Sequence, residues 1–96
     1  MSSEIQHFPR QNRYVLVRDG EQVGLTDYRM HGDVMHITHT EIDPQLRGDE
    51  LGSEMVEGVL DRVRSETGYR VVAECPFVAD WLERHPEYDE LVTRGR

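Results

Sequence analysis

The stretch Leu46-Arg47-Gly48-Asp49-Glu50-Leu51-Gly52-Ser53 decides how this chain is read. It follows a strand-like segment, His36 to Ile42, and opens an amphipathic helical pattern. A glycine-containing turn at a helix N-terminus exposes backbone N–H groups, and the helix dipole adds partial positive charge there. Such a turn suits a phosphate or pyrophosphate. The stretch also carries a contradiction, because Asp49 and Glu50 place two carboxylates where an anion has to approach.

Upstream of this turn the pattern is that of strands. Tyr14-Val15-Leu16-Val17 reads as a strand, and Asp19-Gly20 is a strong hairpin signal. Val23 to Met30 reads as the partner strand, His31-Gly32-Asp33 as a second turn, and Val34 to Ile42 as the longest strand. Ile5 to Phe8 adds a short edge strand before Pro9. The first half is therefore expected to be an antiparallel meander.

Downstream the period changes. Leu51, Met55, Val56, Val59, Leu60 and Val63 recur at helical spacing, with charged residues between them. Gly68 is placed to end this helix as a left-handed cap. Arg70-Val71-Val72-Ala73 is a short apolar strand, and Pro76 favours the start of a second helix. His85-Pro86 ends that helix, because the residue before a proline avoids the helical region. A last turn from Glu87 to Val92 packs Tyr88 and Leu91 onto the body. A right-handed crossover sets strand 70–74 parallel to strand 34–42. The expected fold class is α+β, with a mixed sheet and a ligand crevice beyond the C-terminal end of strand 34–42.

Leu46 to Ser53 resembles the acetyl-CoA signature of GNAT-type N-acetyltransferases, Arg/Gln-x-x-Gly-x-Gly/Ala, with Arg47 at its first position and Gly52 at its last. The chain is more closely similar to a miniature, NATD1-like single-domain subgroup. His39-Thr40 before the signature, Cys75-Pro76-Phe77 after the next strand and His85-Pro86-Glu87-Tyr88 near the C-terminus carry that likeness in order. The resemblance spans about Tyr14 to Val92 and implies one domain over residues 1–96, a compact GNAT fold. It implies CoA in a cleft where strands 34–42 and 70–74 splay apart. Backbone groups near Ile42 then meet the pantetheine. The amides of Arg47, Gly48, Asp49, Glu50, Leu51, Gly52 and Ser53 hold the pyrophosphate, and Phe77 packs nearby. The chain departs from the signature at its middle glycine, which is Glu50 here, with Asp49 beside it. A carboxylate about 5 Å from a phosphate charge costs on the order of 3 kcal/mol at an effective dielectric near 20. The same acidic residues stabilise a helix start by about 0.3–1 kcal/mol each.

N-acetylation requires a deprotonated amine, a polarised thioester carbonyl and a proton for the departing thiolate. Cys75 lies between a strand and a helix N-terminus, where a thiol is activated as a nucleophile or an acid. Its other reading is a buried core residue. By alternation His39 shares a strand face with Met35 and Ile37, where it either relays a proton to Cys75 or is a structural histidine. His36 and His39, three apart on a regular strand, face opposite ways and cannot share a metal. With one cysteine and no zinc-ligand pair, no metal site is expected. Glu41 reads as an exposed strand-end carboxylate, with a base as its alternative, and Trp81 and Tyr88 as packing residues.

Composition narrows the partners. The net charge of −8 argues against sequence-independent nucleic-acid binding and is compatible with a cationic amine. Hydrophobic content of 36% fits a globular domain, and no apolar run approaches the roughly 20 residues of a membrane span. With a lone cysteine and no signal-peptide pattern, these features favour the cytoplasm, as a monomer or a homodimer. Two functions follow: an acetyl-CoA-dependent acetyltransferase of a small-molecule or peptide primary amine, or a non-catalytic module that binds acyl-CoA weakly or a protein partner.

Overall fold

The computed structural model describes residues 3–46 and 49–95, with Asp49 described by its backbone alone. Five strands lie side by side in sequence order: β1 (Ser3–Phe8), β2 (Arg13–Arg18), β3 (Glu21–His31), β4 (Val34–Ile42) and β5 (Arg70–Ala73). The first four pair antiparallel. Helix α1 (Asp49–Glu66) crosses from β4 to β5, and β5 lies parallel to β4, as the crossover rule predicts. Helices α2 (Pro76–Arg84) and α3 (Asp89–Thr93) follow. The expected α+β fold with a mixed sheet is the observed one.

Local chemistry accounts for the meander. Asp19 (φ 51°) and Gly20 (φ 83°) are both left-handed, the backbone that a two-residue hairpin turn demands. β1 begins at Ser3, earlier than its apolar residues indicate. Ser3 pairs with Arg18 through the backbone, which needs no apolar side chain on an exposed edge.

The core occupies one face of the sheet. All six helical-period residues of α1, from Leu51 to Val63, are buried there. They meet Tyr14, Leu16, Tyr28, Met35, Ile37 and Val71 from the strands, with Val78, Trp81 and Leu82 from α2. Full burial of a side chain such as Leu60 contributes roughly 1.5–3 kcal/mol. Trp81 Nε1–H donates to Ser53 Oγ (2.8 Å) and Tyr88 Oη–H donates to Asp61 (2.6 Å). These bonds tie α2 and the turn after it to α1, so the long helices share one face. The opposite face carries Val15 and a set of polar pairs. Arg13 grips Asp27 through two bonds (2.7 and 3.2 Å), and Glu74 accepts from Arg29 (3.3 Å) and lies 2.8 Å from His36 Nδ1.

The end of α1 differs from expectation. Gly68 is not left-handed: among the described residues the positive-φ glycines are Gly20, Gly32 and Gly95. The cap comes from side chains instead. The Thr67 hydroxyl donates to the Val63 carbonyl (2.7 Å). The Arg94 guanidinium donates to the carbonyls of Arg64 (3.0 Å), Thr67 (2.9 Å) and Tyr69 (3.2 Å). A cation at a helix C-terminus also complements the helix dipole.

β1 rests on α1 at Gly58, where an added Cβ would lie 2.7 Å from Ile5 Cγ1. Gly58→Val is therefore expected to push β1 off the helix and to destabilise the fold by about 1–3 kcal/mol. Urea denaturation measures the loss, and hydrogen exchange should show faster opening of Ser3–Phe8 than of β3. Unchanged stability and exchange would show that this close approach is not needed.

Candidate active site

The parallel pair is short. β4 and β5 pair only from Val34↔Arg70 to Ile37↔Ala73. The Ile37 carbonyl then accepts both the Glu74 N–H (2.9 Å) and the Cys75 N–H (3.0 Å). Pro76 has no N–H to extend the ladder and its ring favours the first turn of a helix, so the chain turns away into α2. β4 continues to Ile42 against β3 alone. Among the described residues, no strand covers the β5 side of β4 beyond Ile37. The two strands part there, as the resemblance implies.

A bulge in β4 sits at the parting. Asp27 pairs with His39 and Tyr28 with Ile37, leaving Thr38 as the extra residue. Its hydroxyl donates to the Asp27 carbonyl (3.3 Å). An extra residue inverts the alternation beyond it. Tyr28 and Ile37 are buried in the core, so Asp27 and His39 point to the opposite, helix-free face. The expectation that His39 shares a face with Met35 and Ile37 is thereby corrected. The same inversion brings His36 and His39 to one face, contrary to the regular-strand expectation. His36 meets Glu74 (2.8 Å) and His39 meets Glu41 (3.3 Å). Among the described residues no group of His, Cys, Asp and Glu is arranged to hold a metal.

Cys75 occupies the N-cap position of α2 without a side-chain capping bond, and its side chain is buried in the core cluster. Cys75 and His39 thus border the parting from opposite faces of the sheet. No hydrogen bond joins them among the described residues.

Helix α1 starts below the C-terminal end of β4. Asp43 N–H donates to the Val23 carbonyl (2.8 Å) and Leu46 N–H to the Asp43 carbonyl (2.8 Å), turning the chain toward the helix. Arg47 and Gly48 lie outside the described residues. Backbone N–H groups of the first helical turn, Asp49 to Gly52, have no acceptor within the helix. Leu51 is buried and anchors the turn in the core. Gly52 lies under the exposed Phe77 ring: a Cβ there would be 2.8 Å from Phe77 Cζ. Ser53 Oγ is engaged by Trp81. Glu50 is exposed and lies with Glu54 and Glu57 along the outer flank of the helix. Ile42 is half-buried and packs on the core.

Sequence reasoning missed two residues. Thr26 and Thr40 face each other across β3 and β4, and the buried Oγ1 of each has no partner. Thr40 stands on the stretch of β4 that β5 leaves bare. Its place in the His39-Thr40 pair was visible, but its orphaned hydroxyl depends on the packing of α1 over the strands.

A short parallel pair thus parts beside a helix N-terminus, with β4 bulged at the parting. The family described as GCN5-related N-acetyl-transferase matches residues 13–91, and the chain belongs to that family. No curated protein sequence matches it. Among solved structures it is similar to N-acetylglutamate synthase from Neisseria gonorrhoeae complexed with coenzyme A and N-acetyl-glutamate, with a TM-score of 0.58 and 14% identity. The match covers 98% of this chain and 27% of that one, so the chain spans about a quarter of the neighbour's length. No described helix is long and apolar enough to cross a membrane.

Proposed function

We propose that this chain is an acetyl-CoA-dependent N-acetyltransferase acting on a primary amine, and that it belongs to the miniature, NATD1-like single-domain subgroup. The observation that carries the reading is the parting of β4 from β5 at Ile37 above the N-terminus of α1. The residues present fit the cofactor. The orphaned Thr40 Oγ1 lies on the stretch of β4 that β5 leaves bare, and the first turn of α1 offers free N–H groups. When bound, acetyl-CoA supplies an activated acetyl thioester. Arg47, Gly48, Asp49, Glu50, Leu51, Gly52 and Ser53 form the pyrophosphate turn through their backbone. Ile42 lends backbone groups to the pantetheine arm, and Phe77 walls the entrance. The CoA-bound state of the structural neighbour supports this assignment.

Free N–H groups of β4 act as donors to a developing oxyanion. With acetyl-CoA bound, an amine nitrogen would bond to the acetyl carbon and the carbon–sulfur bond would break, releasing the CoA thiolate. The amine loses a proton and the thiolate gains one. Cys75 and His39 are the assigned proton carriers, one from each face of the parting. Cys75 has a second role open to it, as a nucleophile that takes the acetyl group first. The chain contains no lysine, since its eleven basic residues are all arginine. An acetyl mass gained on incubation with acetyl-CoA therefore has few possible seats. Loss of that adduct in Cys75→Ala is the expected result for a nucleophile. A Cys75→Ala variant that keeps full turnover of a verified amine would remove Cys75 from the chemistry.

Glu50 is the feature that favours a non-catalytic module. It points along the outer flank of α1, where solvent and salt screen its charge. Glu50→Gly is expected to tighten CoA binding by less than about tenfold by calorimetric titration, well short of the unscreened penalty. A much larger gain would mean that the native turn repels the pyrophosphate and would favour the non-catalytic reading.

A further inference from the structure

The helix-free face carries a cavity that shares only Ile42 with these assignments. It is an open hollow of about 380 Å³ at the C-terminal end of β4, with walls from β3 and the β4 end that include Gln22, Leu25, Glu41 and Asp43. None of its lining residues comes from α1 or α2. The helix side of the same strands is already filled, because Ile42 Cδ1 and Met55 Sδ occupy the space over Gly24. The cavity therefore opens on the face to which the bulge directs His39. Glu41 belongs both to its wall and to the stretch of β4 left bare by β5.

Its chemistry is one-sided. The two ionisable residues in the wall, Glu41 and Asp43, are both carboxylates. The neighbouring groups do not reverse this. His39 faces Glu41 at 3.3 Å, and the Arg13 charge is matched by Asp27 at 2.7 Å. Asp43 accepts the Gln45 N–H at Oδ1 (2.9 Å), a neutral partner that leaves its charge uncompensated. Leu25 and Pro44 supply apolar side chains to the wall beside the acids. An alkyl chain fits such a wall, and a positive group fits its acidic end.

We infer that this cavity is the acceptor site and that it selects a primary alkylamine bearing a second cationic group. A free diamine and a lysine in a basic peptide share this chemistry. The inference rests on the acetyltransferase reading, in which the reacting nitrogen meets the acetyl carbon at the bare edge of β4 while the distal cation rests against Glu41 and Asp43.

Two measurements test it. In the first, amide chemical shifts are followed as diaminobutane is added to the protein without cofactor. Shifts concentrated at Gln22–Leu25 and Glu41–Asp43, and reduced in Asp43→Asn, are expected. Shifts elsewhere, or none, would overturn the site. In the second, CoA release is compared for diaminobutane, pentylamine and aminobutyrate, which differ mainly in the charge of the far group. The cationic acceptor is expected to exceed the anionic one in kcat/KM by roughly tenfold at low salt, because it gains the attraction that the anion loses. Asp43→Asn should narrow that spread through KM, with CoA affinity unchanged. A lysine peptide flanked by arginine, run beside diaminobutane, tells a peptide acceptor from a free one. Turnover of all three small amines at equal efficiency overturns the assignment alone. Bound acetyl-CoA with no turnover of any amine overturns the acetyltransferase reading and this inference together.

Discussion

Trp81→Ala is expected to destabilise the protein by about 3–5 kcal/mol, the cost of removing a large side chain from a core. Trp81 is 2% exposed and is held on three sides. Its Nε1–H donates to Ser53, the His85 ring stacks on it at 3.9 Å, and the Tyr88 ring meets it edge-on at 5.1 Å. The loss is a large share of the roughly 5–15 kcal/mol available to a small domain. Urea denaturation gives the number directly. Trp81→Phe keeps most of the ring and loses the hydrogen bond, so it should cost nearer to about 1 kcal/mol. Because Ser53 lies at the start of α1, Trp81→Phe should also loosen the first turn, read as faster hydrogen exchange at Leu51 to Ser53. A Trp81→Ala variant with wild-type stability would mean that the two helices hold together without this contact.

The second large effect is alkaline. Burial pushes the Tyr14 hydroxyl up to about 12, with the neighbouring Tyr28 adding to it. Burial pushes Tyr88 up to about 12 as well, reinforced by its hydrogen bond to Asp61. Tyr28 is raised in the same direction by burial. An unfolded chain releases these protons near pH 10, whereas the folded chain holds them. The folded state therefore binds more protons, and stability must fall as pH rises through this window. It is fully present below about pH 10 and is lost progressively towards about pH 12. Tyr14 and Tyr88 should each contribute about 1.4 kcal/mol of loss by about pH 11. Urea midpoints measured across this range, beside tyrosinate absorbance, check the slope. Tyr88→Phe should lower the starting stability and flatten the slope by one group. Identical slopes in the two proteins would show that Tyr88 titrates normally. His7 works in the opposite sense at the acidic end. Burial, with Arg62 nearby, lowers its pKa, so its contribution is present above about pH 6.5 and lost on acidification.

Much of the candidate site was legible because it is local. The turn into α1, the Cys75-Pro76 step from β5 to α2 and the order of motifs all lie within short segments whose propensities agree with the fold. What failed to transfer was long-range. His39 was assigned to the core-facing set by strict alternation, and the unpaired Thr38 inverted that alternation. Gly68 was read as a cap because glycine favours that position, yet Arg94 reaches across from the C-terminus to satisfy the same carbonyls. The cavity beside Glu41 left no trace in the sequence, since it depends on which face of β3 and β4 the helices leave bare.

By itself the sequence determined the succession of strands and helices, the buried stripe of α1 and the family. Each follows from periodicity, turn residues or motifs that act over a few positions. Only the tertiary structure decided which face of the sheet is covered and where β4 and β5 separate. It also decided which side of that parting each of Cys75 and His39 approaches. Those features depend on one extra residue in one strand, and on a proline that ends a ladder between segments more than thirty residues apart. Pairing across such distances is set by the register of whole strands, which no local pattern specifies.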